Sequence, residues 1–132
     1  TRGFRALKLW MSLQVHGVDA YARLIAGNMA QAAYLERLIE TSPRLELAAL
    51  RPTNVVCFRY RRPEFDDAAL DALNRRLVIE LQESGRYIVS STVLDGRYAL
   101  RVAITNHRSR MDDFTALAED CVRFGDRLAA IA

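Results

Sequence analysis

The run from Arg97 to Thr105 holds the residue best placed for chemistry. Strand alternation puts Tyr98, Leu100, Val102 and Ile104 on one face, and Ala99, Arg101, Ala103 and Thr105 on the other. The first set reads as a core face. In the second, Arg101 stands alone among small residues, with space for its planar guanidinium to grip a carboxylate through two hydrogen bonds. A structural ion pair or a solvent-facing arginine gives the same pattern, and pattern alone favours those readings. The other reactive residue types are less suggestive. His16 sits beside a helix end and His107 in a loop after a strand, neither with ligand spacing, so capping or surface roles are expected. Cys57 and Cys121 lie in apolar segments outside any CxxC pair, which predicts two buried, reduced thiols and no metal. Lys8 is the only lysine, in Leu7-Lys8-Leu9-Trp10, with no neighbour to depress its pKa, so a Schiff-base role is not expected. HExxH, P-loop, GxGxxG and GxSxG patterns are missing. Acidic residues fall mostly on helix faces and caps, where a solvated role is expected. These residues do not assemble an active site by themselves.

The elements that must position them follow from periodicity. Residues 4–16 read as a helix that is apolar most of the way round, with Phe4, Leu7, Trp10 and Met11 at helical spacing and Leu9, Leu13 and Val15 on other faces. Such a helix needs cover on several sides. Gly17 interrupts it, and a second helix runs from Val18 to Thr41 with Tyr21, Ile25, Met29, Ala32, Leu35 and Ile39 on one stripe. It stops at Ser42-Pro43, because the residue before proline disfavours helix. Leu45 to Ala49 and Val55 to Tyr60 form a first hairpin around Arg51-Pro52-Thr53-Asn54. Asp66 or Asp67 caps a helix carrying Leu70, Leu73, Leu77 and Leu81, which ends near Ser84-Gly85. Tyr87 to Val93 and Arg97 to Thr105 flank Leu94-Asp95-Gly96 in a second hairpin, Asp-Gly being a strong turn signal. A last helix starts near Ser109 to Asp113, with Phe114, Leu117, Cys121, Phe124, Leu128 and Ile131 on its stripe. The predicted class is α+β: a four-stranded antiparallel sheet with helices on one face, preceded by a helical connector. The expected division is a connector over residues 1–42 and a small domain over 43–132.

The 132 residues suit one domain. A hydrophobic content of 51% supports a real core and excludes disorder. The longest apolar runs are a few residues, far short of the roughly 20 that a membrane helix needs. Nineteen basic against sixteen acidic residues give +3, too small and too dispersed to suggest nucleic acid. No signal peptide is visible, and cysteine usage suits a cytoplasmic protein. The first residue is Thr1 and not Met, so a piece of a longer protein is expected.

Phe4-Arg5-Ala6-Leu7-Lys8-Leu9-Trp10, followed by His16-Gly17-Val18, resembles the RRFRxLKxW…GxxG stretch of the pyridoxal-phosphate-dependent group II decarboxylases. That family includes the aromatic amino acid, histidine and glutamate decarboxylases. Asn54-Val55-Val56-Cys57-Phe58-Arg59 is similar to its xxLVCFR strand, Leu73-Asn74 to its LN helix, and Leu100-Arg101-Val102-Ala103-Ile104-Thr105-Asn106 to its LRxxIxN strand. The segments occur in the family's order along essentially the whole chain. Gly3 departs from the arginine more usual in RRF. The resemblance implies the C-terminal small domain of an aspartate-aminotransferase-type fold. Pyridoxal phosphate and the catalytic residues would then belong to an upstream large domain, and none maps onto this chain. It implies an enzyme that converts an amino acid to an amine and CO2, a likeness to homodimers, and a chain that is inactive alone. It also marks Arg101 as a substrate-carboxylate ligand, since an arginine in the matching strand of the glutamate decarboxylase branch makes such a contact. The competing reading is a free-standing α+β ligand-binding or regulatory module. The apolar opening helix argues against it, because a stand-alone module has no use for one. The identity of the amino acid, and the choice between decarboxylase and decarboxylating aldehyde synthase, rest on residues outside this chain.

Overall fold

Gly17 separates the first two helices. A computed structural model describes residues 3–131. Thr1 and Arg2, which open the decarboxylase-like segment, lie outside the described residues, as does Ala132. Helix α1 (Arg5–His16) and helix α2 (Val18–Thr41) meet at Gly17, whose φ of 77° lies where a Cβ is strained. Its N–H closes on the Leu13 carbonyl at 2.9 Å. α2 stops where Ser42 turns extended ahead of Pro43.

The chain then forms β1 (Leu45–Leu47), β2 (Val55–Tyr60), α3 (Asp67–Glu83), β3 (Ser90–Leu94), β4 (Arg97–Ala103) and α4 (Met111–Ala129). Asp66 caps α3, its carboxylate accepting the Ala69 N–H at 2.8 Å. The Arg110 N–H donates to Asp113 at 2.8 Å and closes the start of α4. Asp95 and Gly96 both take positive φ, 50° and 79°. That is the primed turn whose twist suits a two-residue hairpin. The sheet order is β1-β2-β4-β3, with every neighbouring pair antiparallel. β2 and β3 therefore run parallel, joined through α3, with β4 inserted between them.

The core lies between the sheet and the helices. Phe58, Leu100 and Val56 from the sheet meet Leu35, Leu77, Cys121 and Leu128 from the helices, all 2% exposed or less. Tyr98, Val102 and Ile104 are buried with them, so the strand register read from alternation holds. Each large side chain so buried contributes about 1.5–3 kcal/mol. Gly125 of α4 lies so close to the Tyr60 ring that a Cβ there would overlap it.

Four details differ from the periodicity reading, the first being that β1 ends at Leu47, not Ala49. The second hairpin starts at Ser90, not Tyr87. A side chain takes the backbone group that pairing would have used, Gln82 donating to the Val89 carbonyl at 2.7 Å, while the Tyr87 side chain is held by its hydroxyl on Asp120. β4 ends at Ala103, after which Asn54 exchanges hydrogen bonds with the Ile104 backbone at 2.6 and 2.9 Å. The α2 stripe is buried only from Asn28 onward, while Val18 and Ile25 are exposed. The first turns of α2 project past the sheet together with α1. No α1 residue is buried; Phe4 is 72% and Trp10 59% exposed.

Candidate functional site

The face of the sheet away from the core carries Arg101. Antiparallel pairing places Arg101 directly opposite Cys57 on β2 and Ser90 on β3. Three strands thus contribute one cross-sheet row: Ser90, Arg101, Cys57. The Ser90 hydroxyl donates to the Arg101 carbonyl at 3.0 Å, and Arg101 Nη1 lies 3.5 Å from Ser90 Oγ. Among the described residues, no carboxylate lies within ion-pairing distance of Arg101. Ala103 and Thr105 are exposed on the same side. Ala99 is fully buried, so the open space starts at Arg101 and does not run the length of the strand.

The two cysteines are free thiols, but their settings differ from the expected pair of buried ones. Cys121 is in the core, where burial first and Asp120 second push its pKa up. Cys57 is only half-buried, because its odd position on β2 turns it to the open face. Burial raises its pKa too, against the opposing pull of Arg101. Lys8, His16 and His107 are exposed; a surface or capping role was expected for the two histidines.

Two charged clusters escaped the sequence reading. Arg59 is 1% exposed and lies 3.4–3.8 Å from Asp67, Glu46 and Asp71, at ion-pair range without close hydrogen bonds. Asp120 is buried, not solvated: it accepts from Arg86 at 2.7 Å and from Tyr87 at 2.8 Å, and also pairs with Arg123. Burial and that hydrogen bond push Tyr87 up to about 12. Arg86 and Tyr87 reach Asp120 from a segment distant in sequence, whereas the Arg59 cluster joins consecutive elements, Glu46 being the hairpin partner of Arg59 and Asp67 and Asp71 lying on the next helix. Ser90 did have a signal. A two-residue turn at Asp95-Gly96 pairs Leu94 with Arg97, and counting outward sets Ser90 against Arg101.

A cleft of about 600 Å³ opens between the end of β4, the segment before β3 and the start of α4, lined by Tyr87, Val102, Ile104, Asn106, Asp113 and Phe114. Arg101 is not part of it. The row around Arg101 offers one cation between a hydroxyl and a thiol that burial keeps protonated, with no carboxylate within ion-pairing distance of Arg101 among the described residues. It can bind and orient an anion; it cannot itself break a bond.

The family model described as "Pyridoxal-dependent decarboxylase conserved domain" matches residues 1–61. Tyrosine decarboxylase 4 of Petroselinum crispum is 39% identical over 108 residues, covering 79% of this chain and 21% of that protein. Tryptophan decarboxylase 2 of Oryza sativa subsp. japonica is 36% identical over 103 residues, covering 78% and 21%. The crystal structure of Oryza sativa TDC with PLP and tryptamine aligns with a TM-score of 0.87 at 29% identity, over 96% of this chain and 28% of that one. The chain therefore spans about a fifth of the length of the curated relatives it matches. On sequence and fold together, the chain belongs to the pyridoxal-phosphate-dependent group II decarboxylase family.

Proposed function

We propose that the chain is the small C-terminal α+β domain of a decarboxylase, a carbon–carbon lyase that converts an aromatic amino acid to an amine and CO2. Residues 1–42 would then be the connector to an upstream large domain, and residues 43–132 the small domain. One observation carries this reading. About four-fifths of the chain aligns with enzymes named for tyrosine and tryptophan, and nearly all of it aligns with a TDC structure containing PLP and tryptamine. The exposed apolar surface of α1 favours the same reading over a free-standing module, because such a surface needs a partner. We assign its cover to the upstream domain of the same protein, and place the whole enzyme in the cytoplasm as a homodimer by family likeness.

The residues of this chain do not fit a pyridoxal phosphate site. Lys8, the only lysine, lies exposed on α1, away from Arg101 and from the cleft. The cofactor is assigned to the upstream domain, where it supplies the electron sink for the breaking carbon–carbon bond. The part assigned to this chain is geometric. Arg101 holds the substrate carboxylate, and its planar fork fixes both the position and the plane of that group. A lysine ammonium there would supply charge without orientation.

The test uses the full-length protein with L-tyrosine and L-tryptophan, reading amine and CO2 release. Turnover of at least one is expected, with none from the 132-residue chain alone. Failure of both substrates would overturn the activity. Arg101→Ala should lower kcat/KM about ten- to a hundredfold, the loss of one charge-assisted pair, without changing cofactor absorbance. Arg101→Lys should recover part of it. An unchanged kcat/KM in Arg101→Ala would remove Arg101 from the site.

A further inference from the structure

We propose that Ser90 is a positioning residue for Arg101: its hydroxyl holds the guanidinium over the open sheet face, so that the remaining donors meet a substrate carboxylate. This rests on the carboxylate-binding role assigned to Arg101. The hydroxyl has a single proton, and it donates that proton to the Arg101 carbonyl at 3.0 Å. Its lone pairs are left to accept, and Arg101 Nη1 lies 3.5 Å from Oγ. That separation is long, as such bonds often are before a ligand tightens the site.

A guanidinium carries five N–H donors and no acceptor, so one contact to Ser90 leaves a full fork for a carboxylate. The register makes the arrangement rigid. Ser90 and Arg101 are cross-strand partners, fixed by the primed Asp95-Gly96 turn at the other end of the hairpin. The opposite flank does not compete. Cys57 faces Arg101 across β2, and burial keeps its thiol protonated, so no thiolate captures the cation. An arginine side chain has many rotamers to lose on binding, and a partner that selects one in advance lowers that cost. Ser90, being neutral, does so without neutralising the charge.

The experiment compares Ser90→Ala, Ser90→Thr and Arg101→Ala in the full-length protein, with L-tyrosine and L-tryptophan as probes. Ser90→Ala should raise KM about three- to tenfold, the size expected for one hydrogen bond, with kcat within about twofold. Ser90→Thr keeps the hydroxyl and should stay near the parent values. In an Arg101→Ala background, Ser90→Ala should add nothing, because both act through one contact. A second readout is exchange of the Arg101 side-chain N–H protons with water by NMR in the 132-residue chain, which Ser90→Ala should accelerate. If Ser90→Ala leaves KM and exchange unchanged while Arg101→Ala still lowers kcat/KM, Ser90 has no positioning role and the Arg101 reading survives. If Arg101→Ala is itself silent, the Arg101 reading fails and the role of Ser90 falls with it.

Discussion

Arg59 is a cation withdrawn from water among anions that keep part of theirs. Its guanidinium is 1% exposed, while the side chains of Glu46, Asp67 and Asp71 are 30%, 73% and 22% exposed. An arginine cannot shed its charge, so these three carboxylates offset the cost of burying it. They stand at 3.4–3.8 Å, which leaves the guanidinium ion-paired but short of close hydrogen bonds. Replacing Arg59 with alanine removes the packing of its stem and takes away the shared cation of three carboxylates, of which Glu46 keeps Arg61 and Arg97. A loss of about 3 kcal/mol in urea unfolding is expected for Arg59→Ala, at the low end for a broken buried pair because the anions remain solvated. Arg59→Met should cost less, since it fills the same space. Equal stability of Arg59→Ala and the parent chain would show that the network holds nothing together. Arg101 lies on the same sheet and inverts this arrangement: exposed, without a carboxylate partner among the described residues, and flanked by neutral side chains. One arginine is ion-paired within the fold; the other has no such pair among the described residues.

The helical elements divide by what covers them. The C-terminal part of α2 buries Ala32, Leu35 and Ile39 in the core, whereas α1 buries nothing. Phe4, Leu7, Leu9, Trp10, Met11 and Val15 are all more than 40% exposed. The sequence reading anticipated this, because an apolar ring of residues on a helix has no single inward face. Trp10 is the only tryptophan and reports on the element directly. In the isolated chain its fluorescence should be readily quenched by acrylamide, unless a second copy covers the helix. In the full-length protein it should be shielded. Weak quenching of a strictly monomeric isolated chain, monitored by light scattering, would mean that α1 folds back on its own domain.

At the scale of the whole molecule, stability at high pH depends on groups that the core keeps protonated. Burial and a hydrogen bond to Asp120 raise Tyr87 from 10.0 to about 12, burial and Asp126 raise Tyr60 in the same direction, and burial raises Cys121 above its ordinary 9.0. In each case the folded state holds its proton more tightly than the unfolded state. The contribution of each is full below its unfolded pKa and is lost as pH rises toward its folded value. The urea midpoint should therefore fall progressively above pH 9 to 10, and the part due to Tyr87 should be lost between about 10 and 12. Tyr87→Phe should flatten that part of the profile, and a flat profile in the parent chain would refute the linkage. The sequence by itself determined every helix, the existence of both hairpins and the core face of β4, because period, caps, Pro43 and the Asp-Gly turn signal act over a few residues; it missed the burial of Ala99 and the start of β3. It located the second hairpin but not its register: with Leu94 counted in the loop Ser90 would face Leu100, and the two-residue turn of the structure sets it against Arg101 instead. Only the tertiary structure decided the rest. β2 meets β4 across the whole of α3, and no local rule gives the register of strands so far apart. That pairing brings Cys57 beside Arg101, and long-range packing brings Arg86 to Asp120, whereas Glu46, Asp67 and Asp71 reach Arg59 from the neighbouring strand and the next helix. Charge contacts between distant segments leave no periodic trace, because each side chain is chosen by a neighbour that the chain reaches only on folding.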